Sequence, residues 1–260
     1  MRIAIGVAYR GTGFEGWQTQ PSRRAVQDAL ERALAEIAGS PVTLTAAGRT
    51  DAGVHASAQV AHFDTQAERP DTAWVRGANA LLPETVSVQW AVRVEDDFHA
   101  RYSATGRSYR YVLYRDPVRP ALLSGLVGWF HGELDAEAMR RALRPLLGEH
   151  DFSAFRSSEC QAKSPVRVLD RAEISVNGPY LLLDFAANGF LHHMVRNIVG
   201  CLVYVGNGRQ PPEWVAELMA KRDRRLAAPT FAPDGLYLAG VRYDARWKLP
   251  EFTRMMPFDA

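Results

Sequence analysis

The chain has 260 residues, and 47% of them are hydrophobic, which is enough to build one large domain or two small ones. Its formal net charge of +2 and its two cysteines, Cys160 and Cys201, exclude a strongly basic protein and a disulfide-rich or zinc-finger scaffold. The longest apolar runs are too short to cross a bilayer, and residues 1–9 alternate like a strand rather than a signal peptide. We therefore expect a cytoplasmic protein that has no membrane contact.

The first hundred residues predict the element order β-α-β-β-α-β. Apolar residues recur at helical spacing between Val26 and Ile37, with Gly39 as a stop, and they alternate in the flanking segments. The predicted strands span residues 3–7, 42–46, 58–63 and 86–94, and the predicted helices span residues 26–37 and 71–82. This is the element order of a ferredoxin-like unit.

The rest of the chain predicts the same order, although no internal sequence repeat is found. Asn177-Gly178-Pro179 indicates a β-hairpin, and Asp135 is a candidate N-cap. The predicted strands span residues 109–113, 166–176, 180–186 and 236–243, and the predicted helices span 135–147, 190–205 and a shorter segment after Pro212. We expect an α+β protein with an N-terminal unit over residues 1–103 and a C-terminal unit over 104–260, of which 246–260 form a tail.

Residues 47–55 form a glycine-containing loop between two predicted strands, and this loop carries one carboxylate, Asp51. Arg49 can pair with Asp51 or with a phosphate. A carboxylate beside a guanidinium stays ionised at neutral pH, which suits a nucleophile. Taken alone, however, Asp-Ala-Gly is more often an ordinary turn.

Four motifs give the chain a resemblance to a known family. They are GRTDAGVH at residues 48–55, FHAR at 98–101, YRY at 109–111 and FLHHMVRNIVG at 190–200. In these motifs, and in order over residues 1–243, the chain resembles the tRNA pseudouridine synthase A family. The resemblance implies a pseudouridine synthase fold, in which the sheets of two ferredoxin-like units form a central RNA-binding cleft. It also implies that a homodimer isomerises uridines 38, 39 and 40 of the tRNA anticodon stem-loop without a cofactor.

The same resemblance assigns roles to individual residues. Asp51 is expected to be the nucleophile, Tyr109 to stack on the flipped uracil or transfer a proton at C5, and Arg196 to pair with Asp51 or a phosphate. The expected substrate contacts are Arg49, Arg69, Phe98, His99, Ala100, Arg101, Tyr102, Tyr109, Arg110, Cys160, Gln161, Ala162, Lys163 and Ser164. Without the resemblance, Tyr109 would be interpreted as a sheet-face residue and Arg196 as a helix residue whose charge reaches the surface.

Arginine accounts for most of the positive charge, and it suits bidentate phosphate contacts. The arginine-rich segments are residues 101–119, 140–144 and 221–225, and the last two fit solvated helix faces equally well. His192 and His193 suggest a metal site. We expect none, because adjacent residues of a helix diverge by about 100°.

Two other functions remain open at this stage. A non-catalytic RNA-binding module would carry an aromatic RNP signature on its sheet, and this signature is not found. A hydrolase that uses Asp51 with a water would need a second acid, for which Asp64 is a candidate. The glycine-rich turn at residues 11–16 lacks the Gly-Lys-Ser/Thr of a Walker loop, and no dinucleotide fingerprint is found. We therefore expect no cofactor.

Overall fold

The computed structural model describes residues 1–250, which form two compact units of a mixed α+β protein. Within the described residues, one unit comprises Met1–Thr105 and residues 237–250, and the other comprises Gly106–Leu236. The strands are β1 (Arg2–Tyr9), β2 (Thr45–Ala46), β3 (His55–Asp64), β4 (Val86–Val94), β5 (Ala104–Arg115), β6 (Gly128–Phe130), β7 (Gly148–Asp151), β8 (Val166–Asn177), β9 (Tyr180–Ala187) and β10 (Leu236–Tyr243). The α-helices are α1 (Val26–Ala38), α2 (Ala78–Leu81), α3 (Ala136–Leu143), α4 (Met194–Gly206) and α5 (Trp214–Lys221). Within residues 1–250, no helix has the length and apolarity needed to span a membrane.

In the first unit, β1 lies between β3 and β4 and pairs with both in the antiparallel direction. All residues of β1 from Ile3 to Val7 are buried, which makes this strand the centre of the unit. β2 pairs with β3 at Ala61 and His62, and β10 pairs in parallel with the start of β3. The element order that the sequence predicts for this region is therefore confirmed.

Helix α1 has the amphipathic pattern that the sequence predicts. Val26, Leu30 and Leu34 are buried on its inner face. Gly39 ends the helix at a φ of 68°, in the left-handed region that glycine enters without strain. The predicted and observed helix ends agree within one residue.

Two elements of the first unit differ from the prediction. The strand predicted over 42–46 is reduced to Thr45–Ala46, because the side chains of α1 bind the backbone of Leu44: its N–H donates to Glu31 (2.8 Å) and its carbonyl accepts from Gln27 (3.4 Å). The helix predicted over 71–82 contains a π-helical turn at Ala73–Gly77. Insertions of this kind are not visible in apolar periodicity.

In the second unit, β5, β9, β8 and β7 pair in that order as antiparallel neighbours, and β6 adds to β5 in parallel. The predicted hairpin is confirmed: Asn177 pairs with Tyr180, and Gly178 has a φ of 55°. Helix α3 packs against α4 and β8. The short strands β6 and β7 were not predicted from the sequence.

Helix α4 begins at Met194 rather than at Phe190, because His193 adopts a left-handed conformation with a φ of 63°. His192 and His193 therefore precede the helix. Their ring centroids lie 3.9 Å apart, so the expectation that these side chains diverge by a helical step is wrong.

The predicted tail is wrong for its first residues. Trp247 is buried in a cluster with Phe98, Ala4 and Val60, and it is the last residue of a short 3₁₀ turn at Ala245–Trp247. Its indole lies edge-on to the ring of Phe98 at 5.1 Å between centroids. Residues 251–260 of the predicted tail lie outside the described residues.

Candidate active site

The loop that carries Asp51 joins β2 to β3, as the sequence predicts. Asp51 is half-buried, and its carbonyl oxygen accepts a hydrogen bond from the N–H of Val54 (3.1 Å) across a turn in which Gly53 has a φ of 81°. Arg49 is exposed in the same loop. The closed turn fixes the direction in which the Asp51 side chain leaves the backbone.

Buried polar side chains hold this loop from one side. The Gln59 amide donates to the carbonyl oxygen of Gly48 (2.7 Å) and to the Tyr9 hydroxyl (3.4 Å), and that hydroxyl bonds Thr50 Oγ1 (2.8 Å). Burial raises the pKa of Tyr9 to about 12, so its hydroxyl stays protonated at neutral pH. A satisfied buried network of this kind makes the loop rigid.

The glycine-rich segment at residues 11–17 holds the loop through its backbone. Trp17 N–H donates to the carbonyl oxygen of Thr50 (3.0 Å). A Cβ atom at Gly16 would lie 2.7 Å from that oxygen, and one at Gly11 would lie 2.0 Å from the carbonyl oxygen of Val54. The sequence predicts a turn here but not its contact with the Asp51 loop. The closely spaced glycines of this segment are the sequence feature that could have indicated this contact.

Residues 98–102 form a second loop. The predicted contact residues in this loop include buried and exposed ones. Phe98 and Ala100 are fully buried, so their side chains belong to the core. Arg101 and Tyr102 are exposed, Tyr102 by 76%, and the Arg101 guanidinium lies 5.6 Å from the centroid of the Tyr102 ring. The loop thus presents a cation beside an aromatic face.

Two histidines position this second loop. His99 Nδ1 accepts from the backbone N–H groups of Arg101 and Tyr102 (both 3.2 Å), and His62 Nδ1 accepts from the N–H of Ala100 (3.1 Å). Burial, then the charges of nearby Arg2 and His99, lowers the pKa of His62 to about 4. His62 is therefore neutral at pH 7, as an acceptor at Nδ1 requires.

We expect the protein to lose stability as the pH falls from about 6.5 to 4, because His62 takes up a proton in the unfolded chain before it does so in the folded one. The stabilisation is fully present above the unfolded pKa of about 6.5 and is lost as the pH falls through the folded value, by roughly 1 to 3 kcal/mol. Urea unfolding of wild type and His62→Gln at pH 7.5, 5.5 and 4.5 measures this. Parallel losses in both proteins would contradict the assignment.

In the second unit, Tyr109 and Tyr111 lie on one face of β5, two residues apart. Tyr109 is half-buried, and its ring stands edge-on to that of Phe190, with centroids 5.0 Å apart. Tyr111 is fully buried, and its hydroxyl donates to the carbonyl oxygen of Ala232 (2.9 Å). Burial raises the pKa of Tyr111. Tyr111 is thus a structural residue, whereas Tyr109 is only partly buried.

Arg196 lies in the first turn of α4 and is half-buried. Its Nε donates to the carbonyl oxygen of Phe231 (2.9 Å), and the N–H of Phe231 donates back to the Arg196 carbonyl (3.2 Å). A half-buried charge needs such partners, and Phe231 is one that the sequence does not indicate.

The remaining predicted contact residues differ in their exposure and in the partners of their polar groups. Arg110 makes a bidentate ion pair with Asp184 (2.7 and 3.0 Å), and both side chains are less than one-fifth exposed. Arg69 is exposed and donates to the carbonyl oxygen of Ile37 (3.3 Å). In the segment 160–164, Gln161, Lys163 and Ser164 are exposed, while Cys160 and Ala162 are half-buried.

Arg156 shapes this last segment by donating to the carbonyl oxygens of Cys160 (2.6 Å) and Ala162 (2.8 Å). Burial favours the neutral Cys160 thiol, but backbone N–H donors and the Arg156 charge outweigh burial and lower the thiol pKa. Burial raises the pKa of the other cysteine, Cys201, to about 11. Cys201 is therefore a core residue, as the sequence predicts.

The chain matches a known protein family over most of its length. The family model described as tRNA pseudouridine synthase matches residues 5–103 and 142–244. The chain therefore belongs to the tRNA pseudouridine synthase family. The matched residues include Asp51 and Arg196, while Tyr109 and Arg110 lie between the two matched segments.

Three bacterial proteins named tRNA pseudouridine synthase A are similar to the chain over nearly its whole length. The chain is 60% identical to tRNA pseudouridine synthase A of Thiobacillus denitrificans, covering 99% of both chains. It is 60% identical to tRNA pseudouridine synthase A of Nitrosomonas eutropha, over 99% of this chain and 93% of the relative. It is 59% identical to the protein of the same name from Dechloromonas aromatica, over 96% of each.

One solved structure shows a weaker likeness. A chain in the crystal structure of a Cbf5-Nop10-Gar1 complex aligns with a TM-score of 0.38 and 11% identity. The alignment covers 77% of this chain and 45% of that chain, so this chain spans less than half the length of that neighbour. A likeness at this level supports no conclusion about fold or function.

Proposed function

We propose that the chain is an isomerase that converts uridine to pseudouridine in tRNA, at positions 38, 39 and 40 of the anticodon stem-loop. The observation that carries the proposal is Asp51, which lies in a rigid loop within the region matched by the tRNA pseudouridine synthase family. The full-length identity of about 60% to proteins named tRNA pseudouridine synthase A supports the choice of substrate.

The reaction breaks the N-glycosidic bond, turns the uracil and rejoins it through C5. Every atom of the uridine except the exchanged hydrogen at C5 is retained, so the balance requires neither an oxidant nor an energy source, and we propose no cofactor. Asp51 attacks either the uracil ring or ribose C1′, and both routes use an ionised carboxylate. Its held turn supplies the orientation that a covalent step needs.

The other residues are proposed to bind and hold the flipped nucleotide. The partly buried Tyr109 supports the uracil, and Arg196 supplies positive charge beside the reacting groups. Arg101 and Tyr102 bind the RNA backbone and an unpaired base. Arg49, Arg69 and the exposed residues of 160–164 add further contacts. We also propose that the two units are ferredoxin-like, that their sheets form an RNA-binding cleft, and that the protein acts as a homodimer.

Tritium release from tRNA labelled at uridine C5 tests the proposed function. The wild-type protein should release tritium from a transcript that has uridine at positions 38–40, because C5 loses its hydrogen when it becomes the glycosidic carbon. A transcript with cytidine at those positions is the matched control. Absence of release from the first transcript, with RNA still bound, would favour a non-catalytic RNA-binding protein.

Alanine substitutions of Arg101 and Arg110 are expected to have different effects on tRNA binding and stability. Arg101→Ala should weaken tRNA binding and reduce the slope of log affinity against log salt by about 1, because one exposed phosphate contact is lost. Arg110→Ala leaves Asp184 without its bidentate partner, so it should lower stability by roughly 1 to 3 kcal/mol and leave the salt slope unchanged. Filter binding across salt concentrations and urea unfolding measure both effects. Equal salt slopes for Arg101→Ala and wild type would show that Arg101 is a solvated surface residue that makes no phosphate contact.

A further inference from the structure

Arg224 belongs to the basic segment 221–225, yet its guanidinium is bound inside the second unit. One Nη donates to the carbonyl oxygen of Ala228 (2.8 Å), and the other donates to Asn197 Oδ1 (3.0 Å) and Thr230 Oγ1 (3.2 Å). Its neighbour Arg225 differs, since that side chain is 89% exposed and pairs with Asp223. The half-buried Arg224 guanidinium therefore binds acceptors of its own unit.

Asn197 is the centre of this network and is fully buried. Its amide nitrogen donates to the carbonyl oxygen of Phe155 (2.7 Å), and its Oδ1 accepts from Thr230 Oγ1 (2.7 Å) as well as from Arg224. Asn197 follows Arg196 directly in α4. The network thus ties the first turn of α4 to the segment 228–231 through side chains whose polar atoms are satisfied.

The segment 228–231 in turn binds Arg196. Phe231 and Arg196 exchange two hydrogen bonds, one from Arg196 Nε to the Phe231 carbonyl and one from the Phe231 N–H to the Arg196 carbonyl. A Cβ atom at Gly200 would lie 2.3 Å from the carbonyl oxygen of Pro229, so glycine allows the segment to approach α4 this closely. The direction of the Arg196 side chain therefore depends on where this segment lies.

We propose that Arg224, acting with Asn197 and Thr230, is a positioning residue for Arg196: it holds the segment 228–231 so that the Phe231 carbonyl orients the Arg196 guanidinium for the reaction. The inference rests on the proposed function, in which Arg196 acts on the substrate. Arg224 does not touch the substrate in this account. Its loss should therefore lower turnover and leave tRNA binding unchanged.

The first test compares Arg224→Met with Arg225→Met, which remove the same charge from adjacent residues. Arg224→Met should lower kcat for tritium release by roughly 10- to 100-fold, the cost of a displacement of about 1 Å, with KM for tRNA within about 2-fold of wild type. Arg225→Met should behave like wild type. Equal kcat values for the two variants would overturn the inference.

A second pair keeps the test decisive if Arg224→Met does not fold. Thr230→Val has nearly the volume of threonine but lacks the hydroxyl that links Arg224 to Asn197, whereas Thr230→Ser keeps it. Turnover should fall for Thr230→Val and be largely retained for Thr230→Ser, with circular dichroism showing that both are folded. Turnover that follows side-chain volume, so that the serine variant is the poorer one, would overturn the inference.

Arg196→Ala in the same assay separates this inference from the proposed function. Wild-type turnover by Arg196→Ala would remove the proposed role of Arg196 and the inference with it. Loss of turnover by Arg196→Ala, together with normal turnover by Arg224→Met and Thr230→Val, would leave that role intact and overturn the positioning alone. If the inference holds, Arg196→Ala combined with Arg224→Met is no slower than Arg196→Ala alone.

Discussion

Asp51→Asn is expected to reduce the rate of pseudouridine formation by at least about 10³-fold, because the amide that replaces the carboxylate is not a nucleophile. The substitution preserves size, and the loop keeps the contacts made by the backbone of Thr50 and Val54, by Gln59 and by the hydroxyl pair of Tyr9 and Thr50. Binding of tRNA should therefore remain within about 3-fold of wild type. Single-turnover product analysis and filter binding measure the two quantities separately.

Asp64→Asn is the matched control for this experiment. Asp64 is the carboxylate at the end of β3, it is 64% exposed, and it pairs with Arg2 rather than with the loop. The isomerase account predicts normal turnover for Asp64→Asn, whereas a hydrolase that uses Asp64 as its second acid predicts a loss. Normal turnover by Asp51→Asn would move the nucleophile to another residue.

Gly16→Ala is expected to lower turnover by roughly 100-fold, because the new methyl group would sit 2.7 Å from the carbonyl oxygen of Thr50 and displace the residue next to Asp51. Gly13→Ala is the control. Gly13 has a φ of 91° and Gly16 one of 89°, so both variants strain the backbone by about 1 to 2 kcal/mol. Apart from Gly13 and its two chain neighbours, no residue of the described chain has a heavy atom within 4 Å of a Cβ at Gly13.

Thermal unfolding and turnover should therefore separate the two glycine variants. Both should lose similar stability from the backbone strain, and the clash at Gly16 should add to that loss. Turnover should fall strongly in Gly16→Ala alone. Equal turnover in the two variants would show that the approach of residues 11–17 to the Asp51 loop does not position the nucleophile.

The elements that the sequence predicts well are those whose side chains alternate or repeat strongly. β1, β4, α1 and the hairpin of β8 and β9 have ends close to the predicted ones, because apolar periodicity and turn residues act locally. The short edge strands β6 and β7 depend on pairing with distant strands. Their three or four residues carry too little pattern to be seen in the sequence.

Local patterns failed where a tertiary contact set the backbone. The apolar spacing of residues 190–205 favours one continuous helix, yet His193 takes a positive φ and the helix begins one residue later. At Leu44 the side chains of α1 replace a strand partner. Neither feature has a residue type that would indicate it in advance.

In the candidate site, too, local motifs were predicted and long-range contacts were not. The motif around Asp51 made this carboxylate the predicted nucleophile, and the motif around Arg196 predicted that this residue pairs with Asp51 or with a phosphate. The partners themselves are distant in sequence: Gly16 for the Asp51 loop, and Phe231 for Arg196. Long-range contacts of this kind are set by packing, so a single sequence does not indicate them.

The most direct test of the account maps pseudouridine in tRNA from cells that lack their own enzyme for positions 38–40 and carry either this chain or its Asp51→Asn variant. Carbodiimide treatment followed by primer extension gives a stop one nucleotide to the 3′ side of each pseudouridine, and each stop is assigned to that pseudouridine. The account predicts stops at positions 38–40 with the wild-type chain and none with Asp51→Asn at equal protein levels. Stops with both proteins, or with neither, would contradict it.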